Sequence, residues 1–261
     1  MIAGWNVWLA MLAAVIAGML AGLVTGFFHT MCGIPPILSG ILTQLGLWSV
    51  NLAILGWSSN KAMNLNEVKL LLSMRYMQEV EYGVRPFWQH PILVIALFSA
   101  VIIGVLYWFF GTERGASIRA TGANVHMARA QGINTNMNKV IGLMIGNGLV
   151  ALSGCLWTQY FGFAEINMGR GAIVIGLAAI IIGEVTFSKI FVNFALKLLA
   201  VSIGSVIYYV VIQLVISTMD INTNLLKLIS ALIVAVFLAV PYWKSHYFPK
   251  KKRIGKEKSH A

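Results

Sequence analysis

The polar residues best suited to chemistry are gathered in one stretch, residues 111–139 (GTERGASIRATGANVHMARAQGINTNMNK), with long uncharged apolar runs on both sides. Within this stretch, residues 123–132 (ANVHMARAQG) can form about two helical turns, and Asn124 is a residue type favoured at helix N-caps. Gly122 and Gly132 would give this helix flexible ends. The pattern favours non-covalent recognition by a short helix that lies across a membrane surface, in a loop that docks another protein.

The sequence motifs of catalysis are missing. There is no Gly-x4-Gly-Lys-Ser/Thr loop to cradle a nucleotide phosphate, and no Ser/His/Asp or Cys/His constellation at a plausible depth. Cys32 and Cys155 lie in or beside apolar runs without metal-ligand spacing, so neither a disulfide framework nor a zinc site is predicted. We expect a chain that is not an enzyme, binds no cofactor itself and depends on a partner for energy.

Composition predicts a membrane protein. The chain has 261 residues, of which 59% are hydrophobic and only 10% charged, and a soluble fold could not keep so much apolar surface from water. The formal net charge is +11, but 11 of the 19 Lys and Arg residues lie in residues 111–139 and 244–261. This clustering fits the positive-inside rule rather than nucleic-acid binding. We therefore expect a multi-pass protein of the cell membrane, with both segments in the cytosol.

The apolar runs predict an all-α, polytopic transmembrane bundle of about seven segments. Residues 1–243 would form one transmembrane domain, residues 57–90 an extracytoplasmic loop, and residues 244–261 a basic cytosolic tail. In that loop, Asn64 and Glu67 precede a short amphipathic pattern. The fifth segment has only 13 uncharged residues, which is too short to cross unaided and suits a broken or re-entrant helix. The segments are residues 5–28, 34–56, 91–110, 140–163, 171–183, 190–217 and 225–243.

Small residues predict how two of these helices pack. Gly18, Gly22 and Gly26 recur every four residues on one helical face, which permits a neighbouring backbone to approach closely. The segment at 140–163 has a similar set that would thin one of its sides. Packing is the favoured interpretation over a hinge. The glycines of the segment at 140–163 are Gly142, Gly146, Gly148 and Gly154.

Several polar or glycine positions within the apolar segments have two interpretations. Thr43, Gln44 and Asn147 either line a solute path or make hydrogen bonds between packed helices. Both interpretations stay open at this point. An amide is satisfied equally well by a solute or by a protein partner.

The short segment near residue 171 offers a similar choice. A helix N-terminus close to Gly169 and Gly171 would carry partial positive charge that favours a carboxylate. We therefore place Asn167, Gly169, Gly171 and Gly176 near the solute path, with tight turns as the alternative. Glu184 would be costly deep in lipid, so we place it at the cytosolic end, close enough to pair with Lys189.

Three runs carry a resemblance to a known family. They are TERGASIRATGANVHMARAQGIN, GLMIGNGLVALSGCLWTQYFGFAEINMG and GAIVIGLAAIIIGE. Together they resemble permease subunits of ABC transporters of the branched-chain amino acid, sugar and nucleoside type, over about residues 5–241. Within that superfamily the chain is most similar to the branch predicted to take up aromatic amino acids.

The resemblance implies a permease of an ATP-driven importer for a small solute, expected to be an amino acid. It implies a second permease copy, two cytosolic ATPase subunits that hold ATP and Mg, an extracytoplasmic solute-binding protein and membrane lipid as partners, with no nucleic acid. The coupling helix would sit in a groove of the ATPase. The residues that would serve this coupling are Gly122, Asn124, Ala128, Arg129, Gln131 and Gly132.

The alternative is a secondary transporter or channel that works without ATP. Such a protein would also have broken helices and intramembrane polar residues, but it has no reason to keep a helical, glycine-bounded docking loop at 111–139. Permeases of the resembled type usually have one or two more helices before the equivalent of Trp5. We therefore expect that one or two N-terminal helices are lacking here.

Overall fold

A computed structural model describes residues 6–63, 70–82, 86–169, 171–187 and 193–219, together with Ala231, Ala235 and Ala239. The chain divides into two compact units, residues 1–170 and residues 171–261. In chain order the elements are α1 (Val7–Thr30), α2 (Pro36–Ile54), β1 (Asn60–Ala62), α3 (Met74–Glu81), a 3-10 turn (Phe87–Gln89), α4 (Pro91–Gly111), α5 (Glu113–Ala123), α6 (Val125–Ala130), α7 (Thr135–Phe161), β2 (Phe163–Glu165), α8 (Ala172–Phe187) and α9 (Phe194–Met219).

The all-α prediction is confirmed. Among the described residues, five helices are long and apolar enough to cross a membrane: α1, α2, α4, α7 and residues Phe194–Val215 of α9. They coincide, with shifted ends, with five of the seven predicted segments. The predicted short segment is helix α8, whose 16 residues fall below spanning length. The segment predicted at 225–243 lies outside the described residues, apart from three single alanines.

Helices α1 and α7 pack backbone to backbone along the predicted glycine face. A Cβ atom built on Gly18 would lie 2.5 Å from the carbonyl oxygen of Asn147, and one on Gly22 would lie 2.7 Å from Met144 Cα. Gly26 continues the same contact one turn further along. No larger side chain fits at these positions without a backbone shift, so the predicted packing face is confirmed.

The glycines of α7 contribute less to this contact than predicted. A Cβ on Gly148 would lie 2.9 Å from Met19 Cγ, so this residue does thin the side that faces α1. Gly142 reaches only the Ile118 side chain, at 3.9 Å, while Gly146 and Gly154 have no neighbour within 4 Å among the described residues. The expectation of one glycine-lined side is therefore wrong for Gly146 and Gly154, because the residues of α7 that meet α1 are Leu143, Met144, Asn147, Gly148 and Ala151, which lie on a different face of the helix.

A small cap covers the C-terminal end of α7. Strand β1 pairs antiparallel with β2, with Lys61 opposite Ala164, and the Met63 amide donates to Gly162 O at 2.8 Å. The fully buried Gln159 accepts a hydrogen bond from the Leu71 amide at 3.3 Å through Oε1. We name residues 57–63 and 70–82 the cap segment. Its helix is α3, whereas the start predicted at Asn64 lies outside the described residues.

The second unit is built on a close crossing of α8 and α9. A Cβ on Gly183 would lie 2.5 Å from Ala200 O, and one on Gly204 would lie 2.7 Å from the Gly183 amide nitrogen. The hydrophobic cluster beside this crossing contains Ala178, Ile182 and Tyr208. The same small-residue principle that joins α1 to α7 therefore operates here.

Candidate docking site and polar residues of the spans

Asn124 starts α6 as the sequence predicts. Its Oδ1 accepts hydrogen bonds from the amides of His126 and Met127, both at 3.0 Å, while its own backbone is extended. The helix that follows has six residues, shorter than the predicted 123–132. Gly132, two residues after the end of α6, has φ of 76°, a conformation that a residue with a Cβ adopts only at a cost.

The prediction for Gly122 needs a correction. This residue is no flexible end, because it lies within α5, a helix that occupies part of the stretch expected to be a loop. Thr112 caps α5: its Oγ1 accepts from the Gly115 amide at 3.3 Å and donates to Phe109 O at 2.6 Å. A Cβ on Gly115 would collide with the backbone of Phe110, so a glycine makes the sharp α4–α5 corner possible.

The side chains of α6 divide into an inner and an outer set. Ala128 is fully buried, so any part that it takes in ATPase coupling would be through support of the helix from beneath. Arg129, Gln131 and Asn124 are exposed, as their predicted contact role requires. Met127, which the sequence reasoning missed, is 51% exposed, and an apolar side chain in a polar surface helix is the signal that would have identified it.

Asn138 joins α5 to the start of α7. Its Nδ2 lies 2.6 Å from Ser117 Oγ and 2.9 Å from Thr121 Oγ1, and its side chain is 4% exposed. Arg129 makes a separate link, from Nη2 to Thr135 Oγ1 at 3.3 Å. We name residues 112–139 the docking block. Hydrogen bonds of Asn138 and Arg129 link its three helices.

A basic pair lies where α1 ends near the docking block. Lys139 Nζ is 3.5 Å from His29 Nε2, and His29 Nδ1 is 2.9 Å from the carbonyl oxygen of Ile34. Because the carbonyl can only accept, we assign the imidazole proton to Nδ1, which leaves Nε2 to accept from Lys139. The arrangement ties the α1–α2 connection to α7.

Of the predicted path residues on α2 and α7, two already have partners inside the chain. Thr43 is 8% exposed, with Oγ1 2.9 Å from both Thr25 Oγ1 and Ser39 O. Asn147 Nδ2 donates to Leu143 O of its own helix at 2.9 Å. Gln44 is exposed on α2 and makes no hydrogen bond to the described residues. The geometry brings Thr43 to α1 and leaves Gln44 on a different side of the same helix.

The remaining path residues belong to two different units. In residues 1–170, Gly169 is exposed, and Asn167 Oδ1 is buried without a hydrogen-bond partner among the described atoms. In residues 171–261, Gly171 has φ of 86° and directly precedes α8, so a helix does begin where the sequence predicts one. Gly176 has no neighbour within 4 Å in the part of the chain that the structure describes.

Glu184 is exposed on α8, and its predicted partner Lys189 lies outside the described residues. In the part of the chain that the structure describes, no three His, Cys, Asp or Glu side chains are grouped so that they could hold a metal ion. The arrangement of the docking block can present a short capped helix to a partner, and nothing in its geometry requires a bound ion.

Comparison with known proteins gives a consistent set of relatives. The family described as branched-chain amino acid transport system, permease component, matches residues 2–240. The chain is 37% identical over 230 residues to the tyrosine transport system permease protein of Clostridioides difficile (strain R20291), an alignment that covers 88% of this chain and 72% of the relative.

More distant relatives extend the comparison. An uncharacterized protein of Rickettsia prowazekii (strain Madrid E) is 31% identical over 232 residues, with 88% of this chain and 78% of the relative covered. The autoinducer 2 import system permease protein of Salmonella choleraesuis (strain SC-B67) is 25% identical over 189 residues, which are 70% of this chain and 49% of the relative. No solved structure is significantly similar to the chain.

Proposed function

The chain belongs to the family of branched-chain amino acid transport system permease components, and from this premise we propose that it is the membrane-spanning subunit of an ATP-driven importer for a small solute. It is a permease component of an ABC-type transport system and a multi-pass membrane protein.

The observation that carries the proposal is the exposed helix α6. A short helix with a satisfied N-cap, an exposed face and a fully buried Ala128 beneath it is a preformed docking element. It projects from a block held by hydrogen bonds between α5 and α7. A pump that takes energy from a separate ATPase needs such an element, whereas a carrier driven by a solute gradient does not.

The proposed assembly contains two copies of this chain, two cytosolic ATPase subunits and an extracytoplasmic solute-binding protein. ATP and Mg would bind the ATPases rather than this chain. The docking block and the C-terminal residues 244–261 would lie in the cytosol, since both are basic, and the cap segment would lie outside. Exposed Met127, Arg129 and Gln131 would enter the groove of the ATPase.

An amino acid is the proposed solute, with L-tyrosine as the first candidate. The support is the relative from Clostridioides difficile, which is named a tyrosine transport system permease protein. Gln44, exposed on α2, and Asn167, whose amide oxygen has no partner among the described atoms, would contribute uncharged polar groups to the path. Neutral groups suit a zwitterion, because they do not add a net charge to the membrane interior.

A matched pair of substitutions tests the docking assignment. Met127→Glu places a charge on the exposed face of α6, and Met74→Glu places the same charge on the equally exposed Met74 of α3, which is 57% exposed against 51% for Met127. We expect an ATPase to copurify in mild detergent with the unmodified chain and with Met74→Glu, and to be lost from Met127→Glu. Mass spectrometry would identify the ATPase by its nucleotide-binding motif, and the purified complex would hydrolyse ATP.

Uptake into vesicles tests direction and solute. Vesicles loaded with ATP should accumulate labelled L-tyrosine, and unlabelled L-valine and D-ribose serve as competitors. If no ATPase copurifies and L-tyrosine uptake proceeds without ATP, the importer proposal is wrong and the chain acts as a secondary transporter.

A further inference from the structure

Two routes of hydrogen bonds connect α6 to α7, and they differ in how far water can compete for them. The direct route is the hydrogen bond from Arg129 to Thr135 at 3.3 Å, made by an exposed side chain. The indirect route passes through α5 to the buried Asn138. Water competes for exposed hydrogen bonds and not for buried ones, so the route through Asn138 fixes the geometry more firmly.

The hydrogen-bond pattern of Asn138 is specific to an amide. Its Nδ2 carries two hydrogens, one for Ser117 Oγ and one for Thr121 Oγ1. Thr121 uses its own hydrogen on Ser117 O at 2.9 Å, so its oxygen is available as an acceptor. A carboxylate of the same size has no hydrogen to offer Thr121, and it would leave that acceptor facing a negative charge.

Helix α7 extends from this cluster to the cap segment. Its 27 residues span about 40 Å at 1.5 Å per residue, and its far end holds Leu71 through Gln159. Between Val140 and Ala151 the helix packs closely against Gly18, Gly22 and Gly26 of α1, so the two helices would move together. A displacement of α5 that pulls on Asn138 therefore moves a stiff element that contacts the cap.

We propose that Asn138 is the positioning residue that transmits movement of the docked helix α6, through α5, to α7 and the cap segment. This inference rests on the proposed function, because it takes the ATPase as the source of the movement. If Asn138 has this role, the backbone dynamics of the cap segment depend on ATP bound to the ATPase, which docks near the other end of α7.

The test measures hydrogen exchange of the backbone amides in the cap segment, including that of Leu71, in the purified complex with its ATPase, with and without ATP and vanadate. Asn138→Asp keeps the side-chain size and replaces two donors by acceptors. Asn193→Asp is the control, since Asn193 is exposed and lies outside both the docking block and the cap segment. We expect the ATP-dependent difference in exchange to fall about tenfold in Asn138→Asp, while ATP hydrolysis continues and Asn193→Asp behaves like the unmodified chain.

A second variant covers the case in which Asn138→Asp loses the ATPase or exchanges rapidly throughout. Ser117→Ala removes one acceptor of Asn138 without adding charge, and we expect it to reduce the ATP-dependent difference in the same direction.

Several outcomes would overturn the inference while the proposed function stands. They are an unchanged ATP-dependent difference in Asn138→Asp, an unchanged difference in Ser117→Ala, or no difference in the unmodified complex despite active ATP hydrolysis. Failure of any ATPase to bind the unmodified chain is a separate result, which overturns the proposed function and removes the premise of the inference.

Discussion

Helix α1 uses two chemically different surfaces for its two neighbours. Toward α7 it presents Gly18, Gly22 and Gly26, and the contact is between backbones. Toward α2 it presents Thr25, whose hydroxyl lies 2.9 Å from that of Thr43. Burial of apolar surface does not drive helices together inside a bilayer, so close packing and hydrogen bonds must do so. The comparison separates these two contributions on a single helix.

The α1–α7 and α1–α2 contacts differ in how well they tolerate a substitution. A backbone contact at van der Waals distance cannot accept an added methyl group, because no side chain can rotate away from it. A hydroxyl pair can lose its hydrogen bond and keep its shape, since Val is close in size to Thr. We expect the α1–α7 contact to be the more sensitive of the two.

Of the three substitutions, Gly22→Ala should lower the free energy of unfolding most. Its Cβ would lie 2.7 Å from Met144 Cα and 2.8 Å from Leu143 C, both backbone atoms, so the helices must separate. We expect the free energy of unfolding to fall by about 1–3 kcal/mol, as measured by SDS titration in detergent. The control is Gly40→Ala on α2, where a Cβ meets nothing within 4 Å among the described residues. Equal losses for the two variants would contradict the backbone-contact account.

Gly26→Ala should have a smaller effect than Gly22→Ala. Its Cβ would lie 3.0 Å from both Val140 Cα and Val140 Cγ2, a contact that a shift of a few tenths of an ångström relieves. We expect a loss of about 1 kcal/mol in the same titration. A loss larger than that of Gly22→Ala would show that the tightest point of the contact lies nearer to the end of α1.

Thr43→Val should have the smallest effect. Hydrogen bonds between membrane helices contribute about 0.6 kcal/mol on average, and the shape of the contact survives. A double-mutant cycle with Thr25→Val isolates the pair, and the two losses should be less than additive. Strict additivity of the two losses would mean that the 2.9 Å contact does not stabilise the pair.

Local patterns in the sequence were sufficient for several features. Uncharged runs predict the spanning helices, since only about 20 apolar residues in a row satisfy a bilayer. The four-residue spacing from Gly18 to Gly26 predicts the packing face, and the position of Asn124 predicts the cap of α6. All three are confirmed, because each depends on residues close together in the chain.

Features that depend on distant partners were missed. Glycine and charges at 113–123 disfavour a helix, yet α5 forms because Thr112 caps it and Asn138 holds it. The fourth long helix was predicted to start at Val140, because Lys139 is charged. In the structure this helix, α7, starts at Thr135 and is capped by Asn134. Gln159 finds the Leu71 amide 88 residues away in the chain, and no spacing rule reveals such a pair.

The candidate site was predicted less completely than the fold. The exposed positions Arg129 and Gln131 follow from the helical pattern around Asn124. The burial of Ala128 and the engagement of Thr43 with Thr25 do not, because each depends on which face a neighbouring helix covers. The roles of Asn167, Gly169, Gly171 and Gly176 in a solute path stay predictions.

The two surfaces of α1 also differ in when the growing chain can complete them. Thr25 and Thr43 are 18 residues apart, so the α1–α2 hairpin can close soon after α2 leaves the ribosome. His29 and Lys139, at one end of the α1–α7 contact, are 110 residues apart. Until α7 has been synthesised, Gly18, Gly22 and Gly26 of α1 lack the backbone that covers them in the folded chain. The α1–α7 contact can therefore form only late in biogenesis.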